Sequence, residues 1–173
     1  QRVAYKAGVK MEKAFMTGTG VNQPLGAFTA HADGISTSRD VTGGTSGTIK
    51  GDDLINMVHE LKAPYRRNAA WVLHRLILKI VRKLKDDNGQ YIWTPDGGIG
   101  KAAVFGHPAT ILGMPYFESE YAPSSTSAGE YGIVLGDWKK YMIADGAFAR
   151  VKRLNELYAR NKQIGFQLVA TVD

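Results

Sequence analysis

An α+β fold is predicted by three features of this 173-residue sequence. Apolar stripes at helical spacing occupy the first half, short β-branched and aromatic runs crowd the second, and no helical repeat or heptad persists. Residues 2–16, RVAYKAGVKMEKAFM, place Ala4, Ala7, Gly8, Met11, Ala14 and Phe15 on one stripe and Arg2, Lys6, Lys10 and Lys13 on the opposite face. This helix is expected to stop at TGTG, where Gly18 and Gly20 tolerate left-handed backbone and Pro24 blocks a restart. From Thr29 to Gly51 the chain is rich in Gly, Ser, Thr and Asp and reads as an exposed excursion.

A second helix starts at GDDLINMVHELKAPY, with Asp52 and Asp53 at its positive end, a stripe of Leu54, Ile55, Val58 and Leu61, and Pro64 closing it. AAWVLH, residues 69–74, is apolar and too short for a helix, so it reads as a buried strand. Another helix follows from Arg75, its stripe Leu76, Ile77, Ile80, Val81 and Leu84, its solvated face Lys79, Arg82 and Lys83, and its stop at DDNG, 86–89. Leu78 falls opposite that stripe and is expected on the surface, which favours a face covered by another subunit. Beyond it QYIW, AVF, PYFESE, YGIVLGD, KYMIAD, FARVKRL and GFQLVATVD are short strand-type runs separated by turn residues. APSSTSAG, 122–129, is a connecting loop.

Length allows one domain, or one plus part of a second, burying roughly two thirds of the unfolded surface. With no cysteine there is no disulfide scaffold, thiolate zinc site or cysteine nucleophile, and the composition fits a reducing compartment. No apolar run approaches the about 20 residues that span a bilayer. A net charge of +6 makes weak attraction to acidic surfaces, nucleic acid included, physically reasonable. The opening at Gln1, directly in a helix-period pattern, reads as a piece of a longer chain.

Candidate chemistry fails on its own mechanics. PDGGIGKAA has Pro95 where a phosphate loop needs its first glycine and Ala102 where a magnesium-holding hydroxyl belongs. GTGVNQ lacks the third glycine of a dinucleotide turn and follows a helix rather than a strand. HELKA puts Ala63 where a zincin helix needs its second histidine; of His31, His59, His74 and His107, His59 flanks a stripe and His74 caps a strand-to-helix turn. No serine sits in a nucleophile elbow. Glu118 and Glu120 could pair as acids on one strand face, but solvated edge positions explain them better. No catalytic, cofactor-binding or metal residue is therefore assigned.

PYRRNAAWVLHRLILKIVRKLKDDNGQYIW (64–93), KAFMTGTGVNQPLG (13–26), GMPYFESEYAP (113–123) and YGIVLGDWKKYMIAD (131–145) together resemble the tailed-phage major capsid protein family, the Hong-Kong-ninety-seven-type coat fold. The resemblance covers about the whole chain. It implies an axial domain over 52–136, with the end of a spine helix and connecting loops of a peripheral domain in 1–51 and return strands in 137–173. The N-terminal arm and extended loop of such proteins are expected to be absent from this piece of chain.

A non-enzymatic coat subunit of a phage or prophage is implied, assembling with itself into hexamers and pentamers of an icosahedral shell around double-stranded DNA. Scaffold and portal are further implied partners; no membrane or cofactor is. The expected location is the virion capsid, with assembly in the bacterial cytoplasm. Leu78, Lys83, Asp86, Asp87, Asn88 and Gly89 are the expected subunit-interface residues, and Arg2, Lys6, Lys10 and Lys13 an interior stripe facing DNA. An encapsulin-like shell shares the fold, and a basic nucleic-acid-binding module is the alternative of a different class.

Overall fold

The computed structural model describes residues 2–31, 35–43, 47–92, 110–127, 129–144, 150–154, 156–157, 159–162 and 164–169. The strand-forming AWVL becomes β1 (Ala70–Leu73), and the whole arrangement is organised around it. β3 (Met114–Glu118) runs parallel to β1 on one side and β4 (Ile133–Gly136) antiparallel on the other; β2 (Thr110–Ile111) pairs antiparallel outside β3, giving the order β2-β3-β1-β4. An interior strand must be apolar on both faces, and Ala70, Trp71, Val72 and Leu73 are all buried.

Alternation divides them. Trp71 and Leu73 pack with Ile111 and with the helices α2 (Gly51–Glu60) and α4 (Arg75–Arg82), while Val72 packs on the other face with Ala27, Phe28 and Ala122. Trp71 is wholly buried, worth roughly 3 kcal/mol of apolar transfer, and its Nε1 donates to Ile111 O at 3.0 Å. Trp138 Nε1 likewise donates to Ala70 O at 2.9 Å, tying the loop after β4 to the edge of the second core.

α4 starts where predicted, but its register differs. Leu78 is buried at 5% exposure, beside Ile77 and Val81, whereas Leu76 is 43% exposed. The expected surface position of Leu78 is therefore corrected: it is a core residue and offers no side chain to a neighbour. Six apolar residues among 76–84 support two adjacent stripes, and periodicity alone does not choose between them. Packing under the sheet does: Ile77, Leu78 and Val81 enter the shared core while Leu76 faces out. His74 caps the start of the helix, accepting the Leu76 N–H on Nδ1 at 3.1 Å and the Leu78 N–H on its carbonyl at 3.0 Å.

The helix also ends at Arg82, before DDNG; Lys83 is its C-cap. Asp86 then builds a tight turn, its Oδ1 accepting from Asn88 N at 3.0 Å and Gln90 N at 2.7 Å, with Lys85 and Tyr91 bridged across it.

α2 buries Leu54 and half-buries Met57 and Val58, while Ile55, expected in the stripe, is 46% exposed. Leu61 has left the helix with extended backbone, and Pro64 does not close α2 but starts the single turn α3 (Ala63–Arg66), where proline's missing N–H is harmless. Arg66 donates to the carbonyls of Leu61 (2.7 Å) and His59 (2.9 Å), satisfying the end of α2.

α1 (Arg2–Thr17) is only partly covered: Ala4 and Gly8 are exposed, and Ala7, Met11, Ala14 and Phe15 are half-buried. Residues 26–28 fold back to close this helix end, Ala27 N donating to Phe15 O (2.8 Å), Phe28 N to Met16 O (2.9 Å) and Gly26 N to Gly18 O (2.9 Å). Gly18 serves by close approach rather than by left-handed backbone, since a Cβ there would lie 2.1 Å from Pro24 O. Gly20 does take positive φ, at 79°.

Residues 35–43 are mostly exposed, as expected of the excursion, and contain one 3-10 turn, Thr37–Arg39. KYMIAD forms no strand over 141–144; a 3-10 turn at Trp138–Lys140 precedes it. β5 (Arg150–Leu154) and β6 (Gly165–Val169) pair antiparallel as a separate two-stranded sheet with Val151 and Phe166 exposed. The AVF run and the phosphate-loop-like PDGGIGKAA lie outside the described residues, as does His107.

Candidate functional site

Titratable groups in the described residues are arranged for structure. His74 is 5% exposed and stands at the end of β1; because its Nδ1 accepts the Leu76 N–H, the proton sits on Nε2, 3.4 Å from Glu120 Oε2. Arg75 Nε meets the same carboxylate at 2.9 Å. Glu118 ends β3 and is exposed, while Glu120 lies in the following turn, so the two carboxylates do not share a strand face as a pair of acids. Among the described residues no cluster of three or more His, Asp or Glu is placed to hold a metal ion.

Among the described residues three tyrosines are shifted, all upwards. The Tyr131 hydroxyl donates to Asp40 Oδ2 at 2.7 Å, and this hydrogen bond, then burial and the Asp40 charge, raises it above the ordinary phenol range. Burial raises Tyr141, whose hydroxyl donates to Leu25 O at 3.0 Å. For Tyr116 burial comes first and Glu118 second, with Arg82 opposing both. A phenol made harder to ionise is no better a base or nucleophile at neutral pH.

Sequence reasoning missed the contact that joins the first helix to the sheet. Ser119, buried at 7% exposure, donates to Glu12 Oε1 at 2.9 Å across 107 residues of sequence, and its Oγ accepts the Tyr121 N–H at 3.2 Å. Its own N–H donates to Leu73 O at 3.1 Å, so one serine ties α1, the end of β1 and the turn after β3. The PYFESEY motif carried this residue, but nothing local marks Glu12 as its partner.

What remains is surface. Arg2, Lys6, Lys10 and Lys13 are all exposed on α1, and Lys83, Asp86, Asp87, Asn88 and Gly89 are exposed after α4. Tyr5, Phe117, Met142, Val151, Leu157 and Phe166 are each more than half exposed. No helix among the described residues is long and apolar enough to cross a membrane.

The described residues thus form an α+β unit with a mixed sheet, a half-covered first helix and several large apolar side chains left exposed. Comparison makes the assignment specific. The model of the phage capsid family matches residues 1–173, and the chain belongs to that family. Among solved structures it is similar to the capsid of an empty GTA particle computed with C5 symmetry, with 27% identity over 99% of this chain and a TM-score of 0.73. The capsid of the native GTA particle, also computed with C5 symmetry, is 28% identical over 99% of this chain, with a TM-score of 0.74. The chain spans 58% and 65% of the length of those two capsid chains. No curated protein matches it. The α+β coat fold expected from the sequence is thus the fold observed.

Proposed function

We propose that this chain is the shell-forming part of a major capsid subunit of a tailed phage or prophage, and that copies of it build hexamers and pentamers of an icosahedral shell around double-stranded DNA. The single observation that carries this is the family match over residues 1–173. The exposed apolar side chains support it, because repeated weak contacts among identical copies need area and shape rather than a reactive centre. In this reading the protein has no enzymatic activity, acts in the virion capsid after assembly in the bacterial cytoplasm, and meets scaffold and portal on the way.

Residues 52–136 form the axial part of the subunit, with 1–51 and 137–173 peripheral. The turn Asp86–Gly89 and Lys83 lie at contacts near a capsomer axis; Asp86 holds that turn in shape before any neighbour arrives. The face of Arg2, Lys6, Lys10 and Lys13 looks onto packaged DNA, where cations replace condensed counterions.

Electron microscopy of the full coat polypeptide tests the first claim: closed shells or capsomer rings support it, and a monodisperse monomer across assembly conditions overturns it. Reversing the charge of Arg2, Lys6, Lys10 and Lys13 tests the second. Shells are expected to form with less retained genome, and unchanged packaging rejects the DNA-facing role.

A further inference from the structure

α2 and α4 pack on the same side of the sheet yet present opposite charge outward. The ten residues of α2, GDDLINMVHE, carry Asp52, Asp53 and Glu60 with no Lys or Arg; the eight of α4, RLILKIVR, carry Arg75, Lys79 and Arg82 with no Asp or Glu, and Lys83 caps them. Each outward face has an exposed aliphatic group among the charges: Ile55 between Asp52 and His59 on α2, and Leu76 beside Lys79 and Lys83 on α4.

Both helices lie over the Trp71 face of the sheet. Arg75 at the start of α4 meets Glu120 just past β3 at 3.0 Å, and Ile77 of the same helix packs toward Gly132 just before β4, so α4 lies over the middle of the sheet. Asp53, Leu54 and Met57 line a recess of about 680 Å³ together with Ile133, Val134 and Leu135, which places α2 on the β4 side. Lys79, Lys83, Asp52 and Glu60 are exposed and form no ion pair with one another or with other described residues.

We propose that the α4 face of one copy docks on the α2 face of the next, Leu76 against Ile55 with Lys79 and Lys83 opposite Asp52 and Glu60. The occupant of each face is a second copy of this chain. Two unlike, complementary patches make a head-to-tail contact, and such contacts close into rings when the rotation per copy allows. Opposite charge steers the encounter and fixes the register, and the aliphatic pair supplies the dry centre. This inference rests on the capsid reading above and names the contact that the reading leaves open.

The test uses the full coat polypeptide in four forms: unaltered, Lys79→Glu with Lys83→Glu, Asp52→Lys with Glu60→Lys, and all four changes together. Assembly is followed by light scattering and electron microscopy against concentration, with thermal melting as the check on folding, since all four side chains are exposed. Each paired reversal is expected to raise the concentration needed for ring formation about ten-fold or more, and the four-fold variant to restore it.

Mixing the two paired variants provides a signature that a change in folding cannot mimic. Alternating copies match at every contact of an even-membered ring, whereas a five-membered ring always contains a mismatch. Even rings from the mixture support the proposal. Unchanged assembly of either paired variant, a four-fold variant as poor as the pairs, or sensitivity to the lysines alone, as a nucleic-acid contact would give, overturns it. Failure of the unaltered polypeptide to form rings would instead overturn the capsid reading itself.

Discussion

Tyr131 shows how much a single hydroxyl does in a loop-rich region. Its hydrogen bond to Asp40 spans 91 residues and pins the exposed excursion before α2 to the start of β4. Thr126 Oγ1, donating to Gly47 O at 2.9 Å, makes a second such tie. Because the bond favours the neutral phenol, the folded-state pKa of Tyr131 lies above the unfolded value of 10.0. The associated stabilisation is fully present below about pH 10 and is lost as pH rises through the raised folded-state pKa. Tyr131→Phe should therefore cost about 1 kcal/mol at neutral pH, and its stability should fall less steeply than that of the parent in alkaline solution. Denaturant midpoints measured across that range check both statements; parallel curves for the two proteins would reject the role of the hydroxyl.

The closure of α1 is decided one level up, by how two glycines let two segments touch. A Cβ on Gly26 would stand 2.5 Å from Gly18 N and 2.6 Å from Met16 O, both backbone atoms that cannot swing aside. Gly26→Ala should then separate residues 26–28 from the helix end, expose the carbonyls of Phe15 and Met16, and cost about 1–3 kcal/mol. Amide exchange at Ala27 and Phe28 should accelerate with it, and unchanged protection there would show that the helix end closes by other means. The glycines were legible in KAFMTGTGVNQPLG, but their purpose was not, because sequence reports a permissive backbone without saying which backbone approaches it. β1, α2 and the start of α4 were legible for the opposite reason: their signals, an apolar run, acids at a helix start and a capping His74, act within a few residues. The rotation of α4 was not, since Leu76 and Leu78 are equally apolar and only the sheet above them distinguishes the two. Of the expected interface residues, Leu78 was lost by that rotation, while Lys83 and Asp86 to Gly89 kept their exposure.

For the molecule as a whole, the join between α1 and the four-stranded sheet is a loose one. The first helix has only half-buried apolar contacts along its C-terminal half, whereas Trp71, Leu73, Ile77 and Val81 at the centre are essentially sealed from solvent. Stability must therefore be uneven, with α1 able to leave the sheet at a free energy well below that of global unfolding. Ser119 opposes this by linking Glu12 to the strand ends, at a point where its own backbone is already fixed by Leu73 O. Removing the hydroxyl leaves that backbone bond intact but releases the helix and the Tyr121 N–H in the adjoining turn, a change of about 1 kcal/mol. Ser119→Ala should accordingly speed amide exchange and proteolytic cleavage within α1 several-fold, while amides of β1 and α4 keep their protection. Equal acceleration in both regions would mean that helix and sheet open as one unit. Local acceleration confined to α1 would identify the Glu12–Ser119 bond as the restraint on how the first helix lies against the sheet, and hence on how the basic face of Arg2, Lys6, Lys10 and Lys13 is presented.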